Sequence, residues 1–171
     1  MPAVIFFLIP SALLLSMLIA GIDEAGRGPC IGPLVMAVAL IDKNDEQKLL
    51  DIGVKDSKLL SAGQRDEQFP KIKGALLEYH HACVEPDEID RMVANHGLNE
   101  LEAMHAAKLL NSLETKPDVV YVDSPDAVMG EFAVRMQKYI SFPVKIISEH
   151  KADLTYPIVS AASIIAKVER D

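Results

Sequence analysis

Apolar residues gather in two uninterrupted runs near the start of the chain, residues 17–23 and 33–41, separated by a Gly/Pro-rich connection. Runs of this length, rich in Val, Ile and Leu, read as neighbouring buried strands. Residues 61–77 mix charged and apolar positions as a helix does, and Pro70 is expected to break or kink it. Leu77 to Val84 supplies a third strand. Asn99 followed by Glu102 has the spacing of a capping box, opening an amphipathic helix that ends near Leu113 before Lys116-Pro117. Val119-Val120-Tyr121-Val122 is a short buried strand ending at Asp123. A helix at about 127–139, a strand from Pro143 to Ile147 and a helix from about Pro157 follow. The early strands read as a hairpin, whereas strands alternating with helices late in the chain need parallel crossovers. The expected fold is α/β, a mixed five-stranded sheet flanked by helices. No internal repeat, linker or low-complexity tract divides it, so one domain is the economical reading.

The polar residues that end these runs carry the chemistry. In Gly21-Ile22-Asp23-Glu24-Ala25-Gly26-Arg27-Gly28-Pro29, two adjacent carboxylates close an apolar strand. Gathering like charges in a partly buried place is costly, which points to a compensating cation. Asp123 closes a second strand, and Asp153 lies in the loop behind the strand at 143–147, so one sheet edge can collect Asp23, Glu24, Asp123 and Asp153. Oxygen ligands of this kind suit Mg²⁺ or Mn²⁺. Each acid also has a milder reading: a polar turn for the Asp23 stretch, a solvated edge residue for Glu24, a turn former for Asp123 and an N-cap for Asp153. Asp118 and Asp126, flanking the same strand as Asp123, read as solvated. Gly26 and Gly28 remove side chains where a ligand must approach the main chain, and Arg27 offers a planar fork for phosphate or carboxylate.

Composition adds limits. The chain has 171 residues, half of them hydrophobic and a quarter charged, enough for one core. A net charge of −8 excludes a uniformly basic surface but not a local basic groove. Cys30 and Cys83 lie far apart without metal-ligand spacing, which suits a reducing cytoplasm. The five histidines form no zinc spacing, and no nucleotide-binding glycine loop of the common types is present. The first 22 residues hold no charge, yet Pro10 interrupts them and no Lys or Arg precedes them. Residues 1–16 are therefore expected to be an apolar extension, with Met17 as the preferred start, rather than a membrane span or signal peptide.

Four stretches together resemble ribonuclease HII, especially the archaeal type: the run at Gly21–Pro29; Lys55-Asp56-Ser57-Lys58; Tyr121-Val122-Asp123-Ser124-Pro125; and His150–Asp153 leading into Tyr156–Lys167. The resemblance runs from about Met17 to Asp171. It implies a ribonuclease H-like fold and a cytoplasmic, monomeric, metal-dependent endonuclease. Its substrates would be RNA–DNA hybrids and duplex DNA with single embedded ribonucleotides, cut by two-metal-ion catalysis. It assigns Asp23, Glu24, Asp123 and Asp153 as the acidic tetrad, and the Gly26-Arg27-Gly28 loop as the part that senses the 2′-hydroxyl, the group distinguishing RNA from DNA at one sugar. Lys55 and Lys58 would contact phosphate, although Leu59 stands where the family often has a second lysine. Read from the residues themselves, Ser160, Ser163 and Lys167 begin a helix whose N-terminus could receive phosphate, while Ala161, Ala162 and Ile164 to Ala166 read more simply as core packing. The family normally continues past Asp171 with a tyrosine near the scissile ribonucleotide and further basic surface, so a C-terminally truncated catalytic domain over 17–171 is expected. An inactive nucleic-acid-binding fragment is the alternative reading. A phosphate-transferring ATPase on a related sheet is a third, opposed by Glu24 and Arg27 in place of a longer phosphate loop.

Overall fold

A computed structural model describes residues 16–28, 32–54, 59–95, 97–128 and 130–171. The apolar extension over 1–16 lies outside these except for Ser16, and so do Cys30, Lys55 and Lys58. The first run becomes β1 (Leu18–Ala25) and the second β2 (Leu34–Asp42), paired antiparallel from Leu18↔Asp42 to Ala25↔Val35. A 3₁₀ turn and α1 (Glu46–Ile52) lead towards α2 (Ala62–Ala75), and β3 (Glu78–Val84) returns along β2. Then come α3 (Pro86–Asn95), α4 (Leu98–Ser112), β4 (Val119–Asp123), α5 (Glu131–Gln137), β5 (Lys145–Glu149), α6 (Ala152–Thr155) and α7 (Pro157–Arg170). The five strands lie in the order β3-β2-β1-β4-β5, with β1–β4 and β4–β5 parallel. The sheet is mixed, as the connection lengths require.

Why β2 has no polar positions before Asp42 is clear from its surroundings. Both faces are covered, so alternation would bury charge. On one face Ile19, Val35, Ala37, Ala39 and Ile41 pack against Ile158, Ala162 and Ile165 of α7, with Leu49 of α1 and Ile72 of α2. On the other, Ala20, Ile22, Met36, Val38 and Leu40 meet Leu101, Leu110 and Phe132 of α4 and α5. Contact is tightest where α7 starts across β1 at Gly21. A Cβ there would lie 2.4 Å from the Ile158 carbonyl carbon and oxygen.

Several local expectations change. Pro70 does not break α2, which runs through it to Ala75. The carbonyl deprived of its donor belongs to exposed Asp66, which water can serve, and a reciprocal Ser61–Gln64 capping box secures the start. The spacing at Asn99 and Glu102 is not a capping box. Gly97 caps α4 without a side-chain bond, and both polar residues bond elsewhere. The helix expected at 127–139 is the shorter α5, and the last strand sits two residues later than its apolar run, at Lys145–Glu149. Short polar α1 and α3 have too few apolar positions to stand out, though Pro86 followed by Asp87 and Glu88 is a helix-start signal.

Candidate active site

Parallel pairing builds the site. β1 and β4 align from Ile19↔Val119 to Ile22↔Val122, so the next residues, Asp23 and Asp123, stand at one level where the β1–β4 pairing stops, Asp23 still paired with Ala37 of β2 and Asp123 with Glu149 of β5. Side chains alternate faces along a strand. Asp23 shares the face of Ile19 and Gly21, towards α7, whereas Glu24 shares that of Ala20 and Ile22, towards α4. Asp153, 1% exposed on α6, completes the group on the α7 side. The lone left-handed non-glycine residue among the described residues, Lys151 with φ 58°, turns the chain into α6. Asp123 Oδ1 accepts the Ala152 N–H at 2.9 Å, which ties β4 to that helix. Tyr121 and Tyr156 stack at 4.1 Å beneath them.

Asp23 is 6% exposed and accepts the Glu24 N–H at 2.9 Å. Burial pushes its carboxyl up from the ordinary 3.8 to about 7, against hydrogen bonds from Ser163 and the Glu24 backbone and with help from Asp123 and Asp153. Glu24 is also raised well above its ordinary range, by burial first and then by Asp23, Glu102 and Asp123, while Arg27 opposes the shift. Both acids thus resist ionising unless a cation joins them. With its proton held more tightly in the fold than in the unfolded chain, Asp23 favours the fold fully below about pH 4 and loses that contribution as pH rises towards 7. In chelator, urea midpoints should therefore fall between pH 4 and 7, and Asp23→Asn should flatten part of that slope. Equal slopes in the two proteins would refute the assignment.

Other expected residues are placed as follows. Gly26 has φ 98°, and a Cβ on it would come within 2.4 Å of the Pro33 carbonyl oxygen and 2.5 Å of Arg170 Nε. At Gly28 no atom of the described residues lies within 4 Å of a Cβ. The Arg27 guanidinium turns inward, its Nε donating to Glu102 Oε1 at 2.7 Å and its Nη2 to Asn99 Oδ1 at 2.7 Å. Ser163 is not at a helix start: α7 begins at Pro157, and Ser163 lies in its second turn, 1% exposed. There it bonds Asp23 and accepts Lys167 Nζ at 2.8 Å, so it faces an acid from inside the protein. Ser160 Oγ donates to the Asp153 carbonyl. Asp126 is not solvated. It is 4% exposed and accepts from Asn99 and Arg135, while Asp118 accepts the Leu18 N–H at 2.8 Å. Sequence reading missed Glu149, paired with Asp123 across β4–β5 and accepting from Tyr156 at 3.1 Å.

Among the described residues, no three Asp, Glu, His or Cys side chains converge closely enough to hold an ion as they stand. The acids meet through their fields, and their oxygen-only chemistry fits a hard divalent cation. A sequence model of ribonuclease HII matches residues 20–171. The chain belongs to the ribonuclease HII family. Ribonuclease HII of Pyrococcus horikoshii is 52% identical over 155 residues, covering 91% of this chain and 70% of that protein; the Pyrococcus furiosus enzyme is 48% identical over 155 residues, covering 91% and 68%. The crystal structure of ribonuclease H2 from Pyrococcus horikoshii superposes with a TM-score of 0.85 at 52% identity, covering 91% of this chain and 72% of that one. A PCNA:RNase HII complex from Archaeoglobus fulgidus gives 0.80 at 41% identity, over 89% and 71%. The fold is therefore ribonuclease H-like, and the activity that of a ribonuclease H, an endonuclease hydrolase acting on RNA–DNA hybrids. Ribonucleases H depend on divalent metal; a Bst-RNase HIII structure in complex with Mn²⁺ matches at a TM-score of 0.75 and 25% identity, over 94% of this chain and 55% of that one. No helix among the described residues is long and apolar enough to cross a membrane.

Proposed function

We propose that Asp23, Glu24, Asp123 and Asp153 hold Mg²⁺ or Mn²⁺ and that the site cuts hybrid duplexes, including those with a single ribonucleotide embedded in DNA. The supporting observation is the meeting of buried, mutually repelling acids where the parallel pairing of β1 with β4 stops. A pair of such ions held by these carboxylates would supply activation of a water and stabilisation of the leaving oxygen in an in-line displacement. The chain's own residues set the frame. Ser163 and the Glu24 N–H fix Asp23, and the Ala152 N–H fixes Asp123. The loop after β1 reads the sugar at the same edge. Of its two glycines, Gly26 is required by the fold, whereas nothing among the described residues requires Gly28. Gly28 leaves room for a ribose to approach the main chain, as 2′-hydroxyl recognition needs.

This separates two variants. Gly26→Ala should lower the melting temperature. Gly28→Ala should leave it unchanged while lowering cleavage at one embedded ribonucleotide more than it weakens duplex binding. Matched duplexes with and without one ribonucleotide, assayed for binding and cleavage alongside thermal melts, test both. A Gly28→Ala enzyme with wild-type cleavage would remove the loop from sugar recognition. Lys55 and Lys58 remain proposed phosphate contacts on their motif alone. A single-copy enzyme acting in the cytoplasm is likewise proposed.

A further inference from the structure

Two loops leave the sheet edge that bears the acids, one after β1 and one after β4. Both are gripped by the first two turns of α4. Asn99 and Glu102 stand three residues apart on that helix and so share a face. Asn99 accepts from Arg27 Nη2 at 2.7 Å through its oxygen and donates to Asp126 Oδ1 at 2.5 Å through its nitrogen. An amide can accept from one loop through its oxygen and donate to the other through its nitrogen at once. Glu102 takes Arg27 Nε at 2.7 Å, and behind Asp126 the Arg135 guanidinium reaches Asp126 Oδ2 at 3.0 Å and Glu100 Oε2 at 2.9 Å.

Glu102 is a costly residue for this place. It is 1% exposed within a mostly apolar helix face, its Oε2 receives no hydrogen bond among the described residues, and burial raises its pKa against the pull of Arg27. A buried carboxylate held by a partly exposed arginine seldom adds stability over apolar packing, so its use is better sought in geometry. The geometry here is specific. Glu24 points to the α4 face and feels both Glu102 and Arg27, so the pair lies close to an acid of the site as well as tying down the loop that follows it.

We infer that Asn99 and Glu102 are positioning residues: they lock the loop after β1 to the loop after β4, and so fix the sugar-reading backbone at Gly26–Gly28 relative to the acids. This rests on the proposed function for its effect on cleavage, though not for the lock itself. Three variants test it: Asn99→Ala, Glu102→Gln, and Arg27→Ala, whose partly exposed side chain can be truncated from the solvent side. Kinetics are read on a duplex with one ribonucleotide and on a continuous hybrid, with amide hydrogen exchange of residues 24–28 and Mn²⁺ binding by calorimetry in parallel. In the Asn99→Ala and Arg27→Ala proteins, exchange in the loop should accelerate and kcat should fall by as much as about 100-fold, the scale of a misplacement near 1 Å. KM and Mn²⁺ affinity should move far less. Glu102→Gln, which can still accept from Arg27, should retain more activity than either. Arg27→Ala combined with Asn99→Ala should be no worse than the poorer single variant, because both break one lock. Unchanged loop exchange in Asn99→Ala and Arg27→Ala would overturn the lock, whatever the activity. If the wild-type protein cleaves neither duplex, the functional reading fails, and the exchange data alone decide the lock.

Discussion

Asp123→Asn and Asp23→Asn should each reduce hybrid cleavage by about 1,000-fold or more while leaving the protein folded, because each removes a charged oxygen from the site that stabilises the developing phosphate charge. The two should differ in stability. Asp23 is buried with its pKa near 7, so its neutral amide counterpart resembles the form the fold already favours near neutral pH. Asp23→Asn should therefore melt at or above the wild-type temperature in chelator, and Mg²⁺ or Mn²⁺ should stabilise the variant less than the wild type. Steady-state cleavage of a labelled hybrid, with melts across a metal titration, measures both. Wild-type turnover in either variant, or full activity in excess chelator, would dismiss the carboxylate–metal mechanism.

Gly21→Ala should be among the most destabilising single-methyl changes available in this protein, about 3 kcal/mol or more. The new Cβ would sit 2.4 Å from the Ile158 carbonyl carbon and oxygen and 2.7 Å from the Val159 nitrogen. These are main-chain atoms in the first turn of α7, which no rotamer change can move aside. Relief requires shifting α7 off β1, and α7 carries Ser163, which bonds Asp23. Stability and catalysis should fall together. Gly63→Ala is the matched control: it lies in α2 with nothing within 4 Å of a Cβ, and should be neutral or stabilising by up to about 1 kcal/mol. Urea unfolding of both variants settles the comparison. A Gly21→Ala midpoint equal to that of Gly63→Ala would mean that α7 can slide freely.

Legibility in the sequence followed the strength of the local physics. The strands that carry Asp23 and Asp123 are apolar up to an abrupt charge, and that break marks the functional level of both, although β1 itself continues to Ala25. β5 was harder because Lys145-Ile146-Ile147-Ser148-Glu149 gives only two apolar residues, and Pro143 and Val144 drew the boundary forward. Asn99 and Glu102 show a deeper limit. The spacing that lets a side chain cap a helix also lets two side chains share its face, and only tertiary contact decides between them. Asp126 was hidden for the same reason: a polar residue in a loop after a strand looks solvated until a helix from elsewhere covers it. Gly26 and Gly28 look alike on paper and differ only once Pro33 and Arg170 are in place.

The pairing of β1 with β4 has a kinetic meaning. β1 and β2 are hairpin neighbours and can meet early, but the register Ile22↔Val122 joins segments far apart in the chain, a contact whose loop-closure entropy is lost before it is rewarded. The acids are brought together at that same step, so their mutual repulsion is added to the slowest-forming part of the sheet. Partly folded chains would hold a finished hairpin and no nuclease. During refolding, hybrid cutting should be the last signal to recover, and it should recover sooner when divalent cations are present from the outset.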